Sequence, residues 1–246
     1  MSKYIRAKIT ENSPANKGHN LLVLSPDDIP QRSLPGQFYM IGTDFSYDPL
    51  LKRPFSIFRE ASSAEGGELQ FLYRIKGKGT KLLKEMRKGE TVNLLGPLGN
   101  GYPMPGKNLT PVLVAGGIGI ASLFPLAEKL LGNIHFFYGA RTKNELLMLN
   151  ELKGLVKKEL IISTNDGSEG TQGTVVDVLN NFLTSHFSLL TSHLIYACGP
   201  SPMLEAVSKF AAENEIKGYI SMEENMACGV GACLGCTVKT KNGYKR

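Results

Sequence analysis

The sequence has no tryptophan, only four histidines and four cysteines, and no long hydrophobic run. No stretch of apolar residues approaches the roughly eighteen that a membrane-spanning helix requires, so we expect no membrane segment. The first six residues alternate like a strand and do not resemble a secretory signal peptide. We therefore expect a cytoplasmic protein. Hydrophobic residues still make up 42% of the 246 residues, which is enough for one large or two ordinary cores.

Three of the four cysteines, Cys228, Cys233 and Cys236, lie close together near the end of the sequence. Their C-x4-C-x2-C spacing supplies three of the four ligands of a plant-type 2Fe-2S cluster. The glycines around them suit a loop whose backbone N–H groups turn toward sulfur. A zinc site would need a fourth cysteine or histidine, and the histidines are distant in sequence. Disulfides would leave one odd thiol, so we favour the iron-sulfur cluster over both alternatives.

Positive charge is concentrated in the first half of the chain. Residues 1–110 contain 16 lysines and arginines against 10 aspartates and glutamates, whereas residues 111–246 contain 12 of each kind. The densest cluster, residues 74–88, is typical either of a solvated helix face or of a surface that binds phosphate. No nucleic-acid recognition motif accompanies the charge, so we do not expect nucleic acid as a partner.

The residue pattern changes in the glycine- and proline-rich segment 96–106, which we interpret as a domain junction. Short strand-like segments precede it, with the spacing of an antiparallel barrel. After it, apolar strands alternate with helices, as in a doubly wound parallel sheet. We therefore predict an antiparallel β-barrel at residues 1–101, an α/β domain at 102–221 and a small cysteine-containing segment at 222–246. The predicted helices are 81–87, 120–131, 145–156, 174–183 and 202–214, and one of the predicted strands is 55–59.

The α/β domain begins with a glycine-rich turn that suits a dinucleotide. Gly116, Gly117 and Gly119 follow the first strand, where glycine lets the backbone approach a pyrophosphate at a helix N-terminus. The dinucleotide fingerprint is incomplete, because Ser122 stands in place of its last glycine and the second strand ends at Arg141 with no acidic residue. A merely tight turn is the alternative interpretation, and the position of the turn in the domain favours nucleotide binding.

A second turn of interest follows the fourth strand of this domain. Cys198, Gly199 and Pro200 lie at the carboxyl end of that strand, on the sheet edge where ligands bind. A single cysteine at a strand end is most often an ordinary buried thiol, and contact with a nicotinamide ring is the alternative. The choice between NAD and NADP stays open, since Arg141 is suited to a 2′-phosphate.

The first domain contains a further set of candidate binding residues in three short segments. An arginine beside a proline, with a hydroxyl nearby, suits a phosphate. A Gly-Thr pair predicts a helix N-terminus with threonine as the N-cap, where backbone N–H groups can hold a phosphate. The three segments are Arg53, Pro54, Phe55 and Ser56, then Leu72, Tyr73 and Arg74, then Gly79 and Thr80.

In this order, the Arg-Pro-x-Ser, Gly-Thr, Gly-Gly-Ile-Gly and Cys-Gly-Pro elements resemble the ferredoxin reductase superfamily, in which a flavin-binding barrel precedes an NAD(P) domain. The tail, residues 221–236 followed by 243–246, resembles the electron transfer subunits of type B dihydroorotate dehydrogenases. The resemblance covers essentially the whole chain. It implies that the three first-domain segments hold FAD, with Arg53 toward the pyrophosphate and Ser56 toward the isoalloxazine edge, and that the three tail cysteines bind the 2Fe-2S cluster.

The resemblance also implies a place in electron transfer within pyrimidine (UMP) biosynthesis. Electrons from dihydroorotate would pass through the FMN of a catalytic partner subunit to the cluster and then to FAD, which reduces NAD. Two copies of each chain are expected. Nicotinamide exchanges electron pairs, a cluster exchanges single electrons and a flavin does either, so the chain needs no acid, base or nucleophile of its own. The family places its fourth cluster cysteine just after a Tyr-Lys/Arg-Arg element, so we expect this sequence to stop a residue or two before it.

Two other interpretations stay open. The same architecture serves as the NAD(P)H-linked flavin and iron-sulfur subunit of cytosolic hydrogenases and of ferredoxin-dependent transhydrogenases, where the partner differs and the chemistry hardly does. The second is a binding module that holds zinc and no flavin. A flavin absorption spectrum would exclude this module, and a copurified partner would distinguish the other assemblies.

Overall fold

The computed structural model describes residues 2–28, 32–43, 48–63, 66–186 and 192–245. These residues divide into two compact units. The first unit contains most of the residues up to Asn100 together with the cysteine tail from Glu224 onward. The second contains Gly101–Glu223 and the short segment Ala15–Lys17. The cysteine tail therefore belongs to the same compact unit as the N-terminal sheet.

The first unit is built on a curled antiparallel sheet, which confirms the barrel class that the strand spacing predicts. Its elements are β1 (Lys3–Asn16), β2 (His19–Pro26), β3 (Phe38–Thr43), β4 (Arg53–Ser56), β5 (Arg59–Ser63), β6 (Gly66–Arg74), helix α1 (Lys78–Glu85) and β7 (Thr91–Leu98). The order of the seven described strands in the sheet is β4-β3-β7-β1-β2-β6-β5.

The sequence of β1 shows why this sheet has a buried and a solvated face. Ile5, Ala7 and Ile9 are buried, and the residues between them are exposed, which is the alternation of a half-buried strand. The core on the buried face includes an edge-to-face pair between Tyr39 and Phe71, whose ring centroids are 5.6 Å apart. Such a pair stabilises the fold by about 1 kcal/mol beyond the area that it buries.

The second unit confirms the predicted doubly wound parallel sheet. Its elements are β8 (Thr110–Gly116), helix α2 (Ile120–Lys129), β9 (His135–Ala140), helix α3 (Leu149–Leu155), β10 (Glu159–Thr164), β11 (Thr171–Gln172), helix α4 (Val175–His186), β12 (His193–Cys198), helix α5 (Ser201–Glu213) and β13 (Lys217–Ser221). The strand order is β11-β10-β9-β8-β12-β13, so the direction of winding reverses between β8 and β12. These two central strands are buried along almost their whole length, as expected for strands covered on both faces.

One predicted strand is wrong because the chain changes its pairing partner there. The predicted strand 55–59 is the end of β4 and the start of β5, which belong to opposite edges of the sheet. The change occurs at Ile57 and Phe58, whose N–H groups donate to the carbonyls of Gln37 (3.1 Å) and Gln70 (2.9 Å). An apolar pattern cannot show this switch, since Phe55 of β4 and Ile57 at the switch both pack in the same core.

Two predicted helices have different limits in the structure. The predicted helix 145–156 begins only at Leu149, because residues 143–145 form a short 3-10 turn and Met148 has a left-handed backbone with φ of 52°. The predicted helix 81–87 is Lys78–Glu85. The described tail ends in a hairpin of two short strands, β14 (Val238–Thr240) and β15 (Gly243–Lys245). Across the described ranges, no helix is long and apolar enough to span a bilayer.

Candidate functional site

Strand β4 brings Arg53 and Gly79 together, although they are far apart in sequence. Arg53 and Pro54 pair with Ile41 and Met40 of β3, and β4 is an edge strand, where a proline without an N–H group is tolerated. The half-buried Arg53 side chain lies over Gly79, and a Cβ added at Gly79 would be 2.8 Å from Arg53 Nε. The guanidinium also donates to the carbonyl of Leu51. Glycine is therefore required at position 79 for the arginine to keep this position.

The start of α1 lies directly beside this guanidinium. The N-cap is Gly77 and not Thr80, so the predicted cap is three residues too late. Thr80 instead folds back, and its Oγ1 accepts hydrogen bonds from the N–H groups of Lys76 (2.9 Å) and Gly77 (3.1 Å). The N–H groups of a first helical turn have no intrahelical acceptor, and the first turn of α1 contains no acidic residue. Together with Arg53, this turn is suited to a phosphate.

The segment Leu72, Tyr73 and Arg74 ends β6, and its Tyr73 contacts β4 across the curled sheet. Leu72 and Tyr73 are buried in the core, and only Arg74 is exposed. The ring of Tyr73 packs edge-to-face on Phe55, with centroids 5.7 Å apart, and its hydroxyl donates to Asn12 Oδ1 at 3.0 Å. Burial raises the pKa of Tyr73 to about 12. The side chain of Tyr73 thus positions β4, while that of Arg74 is accessible to a ligand.

In the second unit, the glycine turn and the Cys-Gly-Pro turn pack directly on each other. A Cβ added at Gly119 would lie 2.0 Å from the carbonyl oxygen of Cys198, and one added at Gly199 would lie 3.0 Å from Gly116 Cα. A Cβ at Gly116 would also lie 2.8 Å from Pro200 Cδ. These turns end β8 and β12, the two strands between which the winding reverses. Open α/β sheets bind their ligands in the crevice at such a point.

Gly117 is the glycine of this turn whose backbone is not covered by neighbouring atoms. Its φ is +53°, and an added Cβ would meet nothing within 4 Å, so its backbone faces free space. Its carbonyl accepts a 3.1 Å hydrogen bond from the hydroxyl of Tyr138, which in turn accepts one from the N–H of Leu147 at 2.8 Å. Tyr138 therefore fixes the turn from the neighbouring strand β9. The sequence alone does not identify Tyr138 as a functional residue, because a tyrosine in a buried strand has no motif around it.

The thiol of Cys198 is buried, with 3% of the residue exposed. Burial raises its pKa to about 12, so the sulfur is a neutral thiol at physiological pH. The hydroxyls of Ser122 and Ser221 are its hydrogen-bonding neighbours. This environment favours the ordinary buried thiol over contact with a nicotinamide ring.

The three tail cysteines lie in a loop whose backbone is directed toward sulfur. Cys228 and Cys236 are half-buried, and Cys233 is exposed. The N–H of Cys233 donates to Cys228 Sγ at 3.5 Å, and this bond, with further backbone hydrogen bonds from the same loop, lowers the pKa of the Cys228 thiol to about 6. Thiolate is the form that binds iron, so the donor chemistry fits an iron-sulfur cluster. In the described part of the chain, no three His, Cys, Asp or Glu side chains are grouped to hold a single metal ion.

The cysteine loop is seated on the sheet of its own unit. Gly229 has φ of +72°, and a Cβ added there would be 2.6 Å from Met40 Cγ on β3 and 3.0 Å from Leu98 Cδ1 on β7. A groove of about 600 Å³ adjoins this contact, and its lining includes Phe38, Leu98, Gly229 and Cys236. The cysteines are identifiable from the sequence but Met40 is not, because a methionine in an apolar strand is indistinguishable from any other core residue.

Family models match the second unit and the cysteine tail. An oxidoreductase NAD-binding domain matches residues 113–209, which include the end of β8 and all of β12. The iron-sulfur cluster binding domain of dihydroorotate dehydrogenase B matches residues 223–246.

Curated relatives and solved structures agree with these matches. The dihydroorotate dehydrogenase B (NAD(+)) electron transfer subunit of Geobacillus sp. (strain WCH70) is 36% identical over 98% of this chain and 91% of its own length. That of Desulforamulus reducens is 36% identical over 97% of this chain and 90% of its own length. A solved NADH-dependent reduced ferredoxin-NADP oxidoreductase has a TM-score of 0.82 at 26% identity, over 97% of this chain and 84% of its own.

These findings confirm the family predicted from the sequence motifs. They also confirm FAD, an iron-sulfur cluster and NAD as the groups that the chain uses. The chain belongs to the electron transfer subunits of dihydroorotate dehydrogenase B (NAD(+)).

Proposed function

We propose that this chain carries electrons from a dihydroorotate-oxidising, FMN-containing partner subunit to NAD, within pyrimidine (UMP) biosynthesis. One observation carries the proposal: Met40 of β3 contacts Gly229 of the cysteine loop and pairs with Pro54 of the Arg-Pro-x-Ser strand. The candidate flavin strand and the candidate cluster loop therefore meet the same residue of one compact unit. An electron path between the two groups needs this proximity.

The residues of the first unit have separate roles in holding FAD. Arg53 and the first turn of α1 would bind the pyrophosphate, since a guanidinium and free N–H groups converge beside Gly79. Ser56, which pairs with Phe38 at the other end of β4, would face the isoalloxazine edge. Phe55 and Tyr73 hold β4 against β6 by their edge-to-face contact. When bound, FAD supplies the exchange between the single electrons of a cluster and the electron pair of a nicotinamide.

The residues of the second unit position NAD. Gly116, Gly117 and Gly119 would take the pyrophosphate, because these three positions have no side chain to keep the phosphates away and the turn leads directly into α2. Gly199 and Pro200 would form the other wall of the same crevice. Cys198 supports that wall from inside, through its carbonyl and its buried thiol. We assign no acid, base or nucleophile to this chain.

Cys228, Cys233 and Cys236 would hold the 2Fe-2S cluster. The lowered pKa of Cys228 makes at least one of these sulfurs a thiolate at neutral pH. Val230 and Leu234, between and beside the cysteines, are each 57% exposed, so the loop is accessible to a partner. We propose a cytoplasmic assembly with two copies of each chain, on the strength of the family relationship.

A second function stays in consideration because of one comparison. The solved NADH-dependent reduced ferredoxin-NADP oxidoreductase aligns with nearly the whole of this chain. The chain could therefore serve a ferredoxin-dependent transhydrogenase, or a cytosolic hydrogenase, with the same flavin and cluster chemistry and another partner.

Reconstitution with defined partners tests the two functions. The chain loaded with FAD and cluster is mixed with a dihydroorotate-oxidising FMN subunit, and NADH formation is followed with dihydroorotate as the donor. We expect NADH formation that requires both chains. Reduced ferredoxin and hydrogen, with their own enzymes, are the control donors. Electron transfer from a control donor alone would contradict the dihydroorotate assignment and support the second function.

A further inference from the structure

The sheet edge beside the glycine turn carries an acidic residue that the incomplete fingerprint did not assign. Gly139 of β9 pairs in register with Gly116, and β9 ends one residue later at Ala140. Arg141 therefore emerges at the end of the second strand, next to the glycine turn. In dinucleotide-binding sheets, the residue at this place meets the adenosine ribose: a carboxylate accepts from a 2′-hydroxyl, and an arginine accommodates a 2′-phosphate.

The chain turns back here and places Glu145 against Arg141. Residues 143–145 form a 3-10 turn in which the N–H of Glu145 donates to the carbonyl of Thr142 at 3.0 Å. Arg141 then donates twice to one carboxylate, from Nε to Glu145 Oε2 at 3.0 Å and from Nη2 to Oε1 at 2.5 Å. This two-point geometry is the one with which an arginine also binds phosphate. The carboxylate that the fingerprint lacks is thus present, supplied four residues after Arg141.

Two lysines near Arg141 also form ion pairs with a carboxylate. Lys143 lies 2.9 Å from Glu169, and Lys153 lies 3.5 Å from the same residue. Arg141, Lys143 and Lys153 therefore each face an acidic side chain in the protein itself. A phosphate that binds at this edge would have to displace one of these carboxylates or bind against its electrostatic repulsion.

We propose that the Arg141–Glu145 pair selects NAD over NADP in this chain. The carboxylate occupies the Nε and Nη2 donors of Arg141 and repels the phosphate charge. Its oxygens remain able to accept a hydrogen bond from a 2′-hydroxyl. The inference rests on the proposed nucleotide site at the glycine turn, and it names the residues that decide which nucleotide that site takes.

Kinetics of the flavin-loaded full-length chain test the pair. NADH and NADPH are compared as donors to a two-electron dye, in the unmodified chain and in Glu145→Gln, which keeps the shape and removes the charge. Exposed ion pairs are weak individually, so we expect the kcat/KM ratio of NADPH to NADH to rise about two- to fivefold, from a value well below one. The matched control is Glu151→Gln on α3, an exposed glutamate with the same change of charge, which should leave the ratio unchanged.

A binding measurement separates the pair from the hydride chemistry. Calorimetry with adenosine 2′,5′-bisphosphate and with ADP reports on the 2′-phosphate alone. We expect Glu145→Gln to tighten the bisphosphate about two- to fivefold relative to ADP, and the double variant Arg141→Ala, Glu145→Gln to lose this gain, since the freed guanidinium is then absent.

Three results would overturn the inference: NADPH used as well as NADH by the unmodified chain, an unchanged nucleotide ratio in Glu145→Gln, or a double variant that keeps the gain. A different result would contradict the proposed function. If the unmodified flavin-loaded chain does not oxidise NADH at all, the nucleotide site is wrong, whereas an active chain with an unchanged ratio contradicts only the role of the pair.

Discussion

The guanidinium of Arg53 keeps its position because the helix turn beneath it has no side chain at Gly79. Arg53→Ala should therefore weaken FAD binding, because it removes a charge-assisted contact of about 1.5–3 kcal/mol, or about ten- to hundredfold in the dissociation constant. Flavin content after gel filtration and a titration with FAD measure the effect. Arg87→Ala, the same substitution at an exposed arginine just after α1, is the control and should retain flavin. Equal losses in both variants would contradict the assignment of Arg53.

Gly79 itself can be tested against a glycine two residues away. Gly79→Ala would place a Cβ 2.8 Å from Arg53 Nε, whereas Gly77→Ala would meet nothing within 4 Å. Neither glycine has a positive φ, so steric contact is the main difference between them. We expect Gly79→Ala to lower FAD affinity severalfold and Gly77→Ala to lower it little. Comparable affinities for the two variants in a flavin fluorescence titration would show that the position of Arg53 over α1 does not matter for binding.

At the scale of elements, the cysteine loop depends on its contact with β3 and β7. Gly229→Ala combines an unfavourable φ of +72° with a Cβ 2.6 Å from Met40 Cγ, so the loop must move away from the sheet. We expect reduced iron content and an altered visible circular dichroism spectrum of the cluster. Gly235→Ala, in the same loop, is the control, because its added Cβ would lie 3.6 Å from Cys233 Sγ, an ordinary contact. Identical iron content and spectra in both variants would contradict the seating of the loop.

The strands and helices also show which structural features an apolar sequence pattern can predict and which it cannot. Apolar runs such as β8 and β12 are identified correctly because burial on both faces leaves a clear signal. The change of pairing partner at Ile57 leaves no signal in the sequence, because it depends on which strand lies alongside. The late start of α3 leaves none either, because it depends on the left-handed backbone of the single residue Met148.

The residues of the candidate site also divide into those that the sequence identifies and those that only the fold reveals. The cysteines and glycine turns are motifs with fixed spacing and could be found in the sequence. Met40, Tyr138 and Glu145 act through contacts made only in the folded chain, with Gly229, Gly117 and Arg141 respectively. A residue that positions a motif from another strand or turn lies at no fixed sequence distance from it, so it cannot be identified before the fold is known.

At the scale of the whole molecule, both units hold buried acids that must stay protonated. Burial raises the pKa of Tyr39 and Tyr73 in the first unit, and of Tyr196 and Cys198 in the second, to about 12 in each case. In an unfolded chain, tyrosine ionises near pH 10 and cysteine near pH 8.5. Because the folded-state values are the higher ones, the stability that these groups contribute is complete below about pH 8.5 and is lost as the pH rises toward 12.

We therefore expect the urea midpoint of unfolding to be lower at pH 11 than at pH 8, and to change little from these groups between pH 6 and pH 8. Tyr73→Phe should lower stability at pH 8, since it removes the hydrogen bond to Asn12, but should make the loss between pH 8 and pH 11 smaller, since one buried acid is gone. Tyr4→Phe, at a residue that is 59% exposed, is the matched control and should leave that loss unchanged. A pH dependence that Tyr73→Phe does not reduce would show that buried phenols are not what limits the alkaline stability of the first unit.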